Sequence, residues 1–105
     1  MDINTAIHEA MLLEGHEMEM ECVLEYETTE ERDSVYEAVK AADDFSVEKY
    51  DDVYDADEYG TRCIIITLFS NMNTGTVSDD IEEYCEKVSG IPCDEIDVEE
   101  TGYSI

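Results

Sequence analysis

Carboxylates at every second position are the residues of this chain whose spacing bears on chemistry. In E-M-E-M-E-C-V-L-E-Y-E, Glu17, Glu19, Glu21, Glu25 and Glu27 alternate with apolar residues, and only Val23 breaks the row. Paired carboxylates do acid–base work when their surroundings push their proton affinities apart. With thirty Asp and Glu against five Lys and Arg, no single pair stands out for that role. The repeat points instead to a display of charge. On a strand, carboxylates two residues apart stand about 6.8 Å from one another. Each such pair repels by roughly 0.6 kcal/mol in bulk water. The pairs 17/19, 19/21 and 25/27 together cost about 2 kcal/mol, against a total stability of roughly 5–15 kcal/mol. A row of one sign kept at that cost suggests that its field is used.

Other site chemistries fit poorly. Asp55-Ala56-Asp57-Glu58-Tyr59-Gly60 begins like a calcium loop, but Ile66 stands where a bidentate glutamate is needed and Tyr59 occupies another ligand position. The stretch reads as an acidic solvated loop, and no metal or cofactor is expected. His8 and His16 have no carboxylate or cysteine pattern tying them together. Ser70, Ser78, Ser89 and Ser104 lack a nucleophile-elbow setting, and the five glycines are scattered. Cys22, Cys63, Cys85 and Cys93 form no C-x-x-C pair. They read as reduced thiols, with Cys22 and Cys85 on apolar faces. The expectation is a binding protein, not an enzyme.

A formal charge of −25 on 105 residues argues against nucleic acid or an anionic membrane as direct partner. Arg32, Lys40, Lys49, Arg62 and Lys87 cannot make a basic patch. The complementary partner is a protein with a basic surface, such as a nucleic-acid-binding groove. An acidic surface serving hydration alone, as in halophiles, is the competing reading, although four Cys and seven Tyr sit poorly with that composition. No apolar run has the length of a membrane span, and the opening M-D-I-N-T-A-I has no basic region of a signal peptide. A cytoplasmic location is expected.

The elements that must carry these carboxylates follow from periodicity. Ile3, Ala6, Ile7, Ala10 and Met11 predict a short helix over 3–13, with Gly15 as its C-cap. Residues 17–27 predict a strand burying Met18, Met20, Cys22, Leu24 and Tyr26. Thr28 and Glu31 form a capping box for a helix over 29–43, whose stripe is Val35, Ala38, Val39 and Ala42. Phe45–Tyr50 predicts a strand entering the acidic stretch 51–60. Arg62–Ser70, apolar on both sides, predicts a central strand. Asn71–Gly75 reads as a loop. Ser78, Asp79 and Asp80 are expected to cap a second helix with the stripe Ile81, Tyr84, Cys85 and Val88, ended by Gly90 and Pro92. Glu95–Tyr103 alternates around Ile96 and Val98 and closes the chain as a strand.

The expected class is α+β, one domain over 1–105: a ferredoxin-like β-α-β-β-α-β sheet with both helices on one face, preceded by a short N-terminal helix. In that layout the glutamate row lies on the open face beside Cys63, Ile65 and Phe69. An apolar patch bordered by acids describes a protein-binding surface or a homodimer interface equally well.

This layout resembles the regulator of ribonuclease E activity B family. The matching pieces are Leu12-Leu13-Glu14-Gly15, the capped helix 29–43, F-S-V-E at Phe45–Glu48, C-I-I-I-T at Cys63–Thr67 and V-E-E-T-G-Y at Val98–Tyr103. The family's Y-D-G-W signature is absent, the chain having no tryptophan. The resemblance implies an acidic protein that inhibits an enzyme by occupying a basic region. By size and charge alone, the chain is also similar to short phage proteins that mimic DNA, anti-CRISPR and anti-restriction inhibitors among them.

Three functional expectations follow. The first is an inhibitor that binds the cationic surface of a nuclease or CRISPR-type effector in place of nucleic acid, in a phage anti-defence role. The second is a host regulator binding a ribonuclease's basic scaffold segment, and the third a halophilic ferredoxin-like domain. The partner-binding residues expected are Glu17, Glu19, Glu21, Glu25 and Glu27 on the first strand, and Asp51, Asp52, Asp55, Asp57 and Glu58 in the acidic loop. Tyr50, Tyr54 and Tyr59 are expected to add contact area, and Glu95, Asp97 and Glu99 extend the charge on the last strand. Whether two copies pair through the open face is left open by the sequence.

Overall fold

The computed structural model describes residues 17–42, 46–51 and 60–103. The helix expected over 3–13 and most of the acidic loop lie outside them. The described elements are β1 (Met18–Glu25), α1 (Thr29–Ala42), β2 (Ser46–Lys49), β3 (Cys63–Ser70), α2 (Thr74–Ser89) and β4 (Glu95–Tyr103). The architecture is α+β, a four-stranded antiparallel sheet with two helices. The strand order is β2-β3-β1-β4, so β1 and β3 are central.

β1 forms because its alternation matches the pleat: Met18, Met20, Cys22 and Leu24 are buried, while Glu19, Glu21, Val23 and Glu25 are only half-covered. Tyr26 continues the buried row. These residues join Ile64 and Ile66 of β3, Val35 and Val39 of α1, and Val77, Ile81 and Cys85 of α2 in one core. Both helices therefore cover the same sheet face. Each fully buried Leu, Ile or Met side chain contributes roughly 1.5–3 kcal/mol.

α1 starts as the capping motif requires, with the Glu31 amide donating to Thr28 Oγ1 at 3.1 Å. Its buried stripe is Arg32, Val35 and Val39, whereas Ala38 is half-buried and Ala42 exposed. Arg32, which the sequence presents only as one of five scattered cations, is fully buried. α2 also begins earlier than Ser78. Asn73 is its N-cap, accepting from the Thr76 amide at 2.8 Å, and the helix runs from Thr74. The earlier start places Val77 one turn before Ile81 on the buried stripe, while Val88 is exposed. Gly90 ends the helix with φ +75°, and its amide donates to Glu86 O at 2.7 Å. That left-handed turn is one glycine adopts without penalty.

β3 is buried on both faces from Cys63 to Ile66, as befits a central strand. Among the described residues no helix is long and apolar enough to cross a membrane.

Candidate acidic interaction face

Register decides which carboxylates stand together. β1 sets Glu21 opposite Glu99, Val23 opposite Asp97 and Glu25 opposite Glu95. On its other side it sets Glu21 opposite Thr67, Val23 opposite Ile65 and Glu25 opposite Cys63. Directly opposed residues share a face. Glu19, Glu21 and Glu25 thus lie with Glu95, Asp97 and Glu99 on the sheet face turned away from α1 and α2. Glu21, Val23, Glu25, Cys63, Glu95, Asp97 and Glu99 line a concavity of about 280 Å³ there. Two adjacent strands, one central and one outer, form this patch of carboxylates over an apolar floor of Val23 and Cys63.

Among the described residues one cation borders the patch. Arg62, just before β3, reaches Glu25 Oε1 at 3.3 Å and donates to Glu27 O at 3.4 Å. Both side chains of the pair are partly exposed, at 53% and 37%, so the bridge is worth about 0–1 kcal/mol. At the far end, Thr101 is an extra residue in β4, between Glu100 opposite Met20 and Gly102 opposite Glu19. Its hydroxyl donates to Glu19 Oε1 at 2.8 Å. A bulge at this position bends β4 and fixes one end of the glutamate row.

The other ion pairs among the described residues are clustered away from this face. Arg32 donates from Nη1 to Tyr50 O at 2.9 Å and from Nη2 to Asp51 Oδ1 at 2.7 Å, and it pairs with Asp33 at 2.6 Å. Lys49 lies 3.1 Å from Asp33 and 3.8 Å from Asp51, and its ammonium sits 4.8 Å above the Tyr36 ring. Burial is the largest single influence on the Asp33 carboxyl and pushes it up. Hydrogen bonds from Lys49 and Arg32, and their charges, more than offset this and hold it below the ordinary aspartate value. The cluster pins the chain where β2 runs into the acidic stretch. Among the described residues neither Arg32 Nε nor the buried Tyr26 hydroxyl has a hydrogen-bond partner.

The expected partner residues therefore fall into distinct groups. Glu19, Glu21, Glu25, Glu95, Asp97 and Glu99 share one face. Glu17 and Glu27 are exposed at the two ends of β1. Asp51 is exposed but engaged by Arg32 and Lys49, and Tyr50 is half-buried with its carbonyl held by Arg32. Asp52, Tyr54, Asp55, Asp57, Glu58 and Tyr59 lie outside the described residues. The exposed apolar patch expected beside the acids is corrected in part. Cys63 and Ile65 point to this face but are buried, leaving Phe69, about half exposed, as its open apolar residue. Arg32 is the residue that sequence reasoning missed; its signal was its place three and seven residues before Val35 and Val39.

The thiols are not poised for covalent chemistry. Desolvation lifts Cys22 to about 11, Cys85 to about 12 and Cys93 to about 11, with nearby acidic groups adding to it. Burial likewise raises Cys63 and the Tyr26 phenol. None of the four cysteines is in a disulfide, and among the described residues no group of three or more His, Cys, Asp or Glu is placed to hold a metal ion. What the face can do is present ionised oxygens at fixed spacing. Against known families, curated proteins and solved structures the chain finds no match.

Proposed function

We propose that this protein is a non-enzymatic inhibitor that fills the cationic nucleic-acid groove of another protein, a nuclease or CRISPR-type effector, with its own carboxylates. The observation that carries the reading is the register that places Glu21, Glu25, Glu95, Asp97 and Glu99 around one concavity. Each of these acids costs repulsion with its neighbours, and Arg62 at the rim pairs with Glu25. A partner rich in Lys and Arg relieves that repulsion on binding, so the strain of the free face becomes association energy. The curved patch offers charge for phosphate-binding side chains, and Val23 offers apolar area for their stems.

The strand order β2-β3-β1-β4 with both helices on one face is read here as the ferredoxin-like arrangement. The sheet face turned from α1 and α2 carries Glu21, Glu25, Glu95, Asp97 and Glu99. A host cytoplasm, entered during phage infection, is the setting in which such a groove-filling protein acts.

The reading is tested by displacement. Wild-type protein is titrated into enzymes that hold a labelled oligonucleotide in a cationic groove, at several salt concentrations. Displacement from at least one of them, weakening steeply with salt, is the expected result. No displacement at any salt concentration, or displacement indifferent to salt, overturns it. An acidic surface serving hydration alone predicts something else: a circular dichroism spectrum that gains structure only in molar salt.

A further inference from the structure

β4 is a nine-residue strand at one end of the sheet. Its inner edge pairs with β1 along its length, and among the described residues no element pairs with its outer edge. The outward backbone groups of such a strand are left to water or to another chain. Natural edges are usually blunted by shortness, by Lys or Pro, or by a bulge. β4 contains neither Lys nor Pro, and its bulge comes late, at Thr101. Glu95–Glu99 is therefore a regular run whose outer edge no described strand pairs. Along it, Glu95, Asp97 and Glu99 are exposed on the face turned from the helices, while Ile96 and Val98 are half-buried against the core.

We infer that the outer edge of β4 takes up an extended segment of the partner as a fifth strand, and that this segment carries Lys or Arg at every second position. The inference rests on the acidic face being a binding surface and specifies the backbone form of what binds there. Charge complementarity selects the occupant. Side chains of an added strand alternate between the two faces. Those on the acidic face fall beside Glu95, Asp97 and Glu99, where opposite charges across strands attract and like charges repel. The intervening side chains fall beside Ile96 and Val98, where apolar residues extend the rim of the core. The pattern recognised is cation–apolar–cation–apolar–cation.

The same chemistry excludes a second copy of this chain. Antiparallel pairing of two β4 edges about Asp97 sets Asp97 against Asp97 and Glu95 against Glu99. A slip of two residues sets Glu95 against Asp97 and gains nothing.

The test uses the full chain and a fluorescent nine-residue peptide of alternating lysine and valine. Two further peptides carry N-methyl groups on every second amide, one in each phase, so that charge is kept and one backbone edge is blocked. The expected result has three parts. The parent binds, with amide shifts concentrated in Glu95–Glu100. Methylation in one phase lowers affinity by about tenfold or more. Methylation in the other leaves it within about twofold. Equal effects of the two phases, shifts centred elsewhere, or no binding by the parent each overturn the edge inference. None of these bears on displacement of oligonucleotide by the whole protein, so the two ideas fail separately.

Discussion

Replacing Asp97 with Asn should make this protein more stable, and the gain should depend on salt. Asp97 sits on β4 between Glu95 and Glu99, and opposite Val23, whose neighbours in β1 on the same face are Glu21 and Glu25. Carboxylates two residues along a strand stand about 6.8 Å away, and those diagonal across strands about 7–8 Å away. At about 7 Å each of the four neighbours repels Asp97 by roughly 0.6 kcal/mol in water, or about 2.4 kcal/mol together. A Debye length of about 8 Å at physiological salt leaves about 0.4 of this, near 1 kcal/mol, whereas at roughly 10 mM salt about 2 kcal/mol remains. Asn keeps the shape and removes the charge. Asp97→Asn should raise the melting temperature by roughly 4–8 °C at physiological salt and by about twice that in dilute buffer. Thermal melts of both proteins at the two ionic strengths measure this. Destabilisation, or a gain independent of salt, would refute the view that the acids are held together against their own repulsion.

Three other outcomes follow from the same geometry. Arg32→Met should destabilise by roughly 2–3 kcal/mol in urea titrations, because the Tyr50 carbonyl and Asp51 lose their buried donor, and Arg32→Lys should recover little of it for want of a planar fork. The Asp33 carboxyl, held below its ordinary value by Lys49 and Arg32, contributes stability that is present above about pH 4 and lost as pH falls through its lower folded value. Asp33→Asn should therefore show a flatter acid limb than wild type in pH-resolved melts. Thiols raised to about 11 and 12 give the opposite sign: their contribution is complete below about pH 8.5 and is lost as pH rises through the folded values. At pH 8 a disulfide reagent should label half-buried Cys93 first, and Cys22 and Cys85 only on unfolding.

What could be read in the sequence was what periodicity encodes. The alternation of Met18, Met20, Cys22 and Leu24 marks β1 and its buried side, because a strand has only two faces. The T-x-x-E pair at Thr28 and Glu31 marks the start of α1. The beginning of α2 was less legible: Thr74, Gly75 and Thr76 are poor helix formers, and tertiary burial of Val77 with the Asn73 cap outweighs their propensity. Arg32 was only partly legible: its spacing to Val35 and Val39 put it on the buried stripe, but not what would hold its charge. A guanidinium inside an apolar stripe is normally solvent-directed, and only folding brings Tyr50 and Asp51 within its reach. The acidic face was half legible. Each strand announced its own carboxylates, but pairing Glu21 with Glu99 and Glu25 with Glu95 is a matter of register, set by the core on the opposite side. Burial of Cys63 and Ile65 on that face agrees with the apolar run on both sides of β3, but not with the open apolar patch expected there.

The most direct test of the account sets position of charge against amount of charge. One variant neutralises Glu21, Glu25, Glu95, Asp97 and Glu99 as their amides. A second neutralises the exposed α2 residues Asp79, Asp80, Glu82, Glu83 and Glu86, so that both carry the same net charge. Displacement of labelled oligonucleotide from a wild-type-sensitive enzyme is then measured for each. The account predicts that the α2 variant still displaces and the sheet-face variant does not. Equal displacement by the two variants would contradict it.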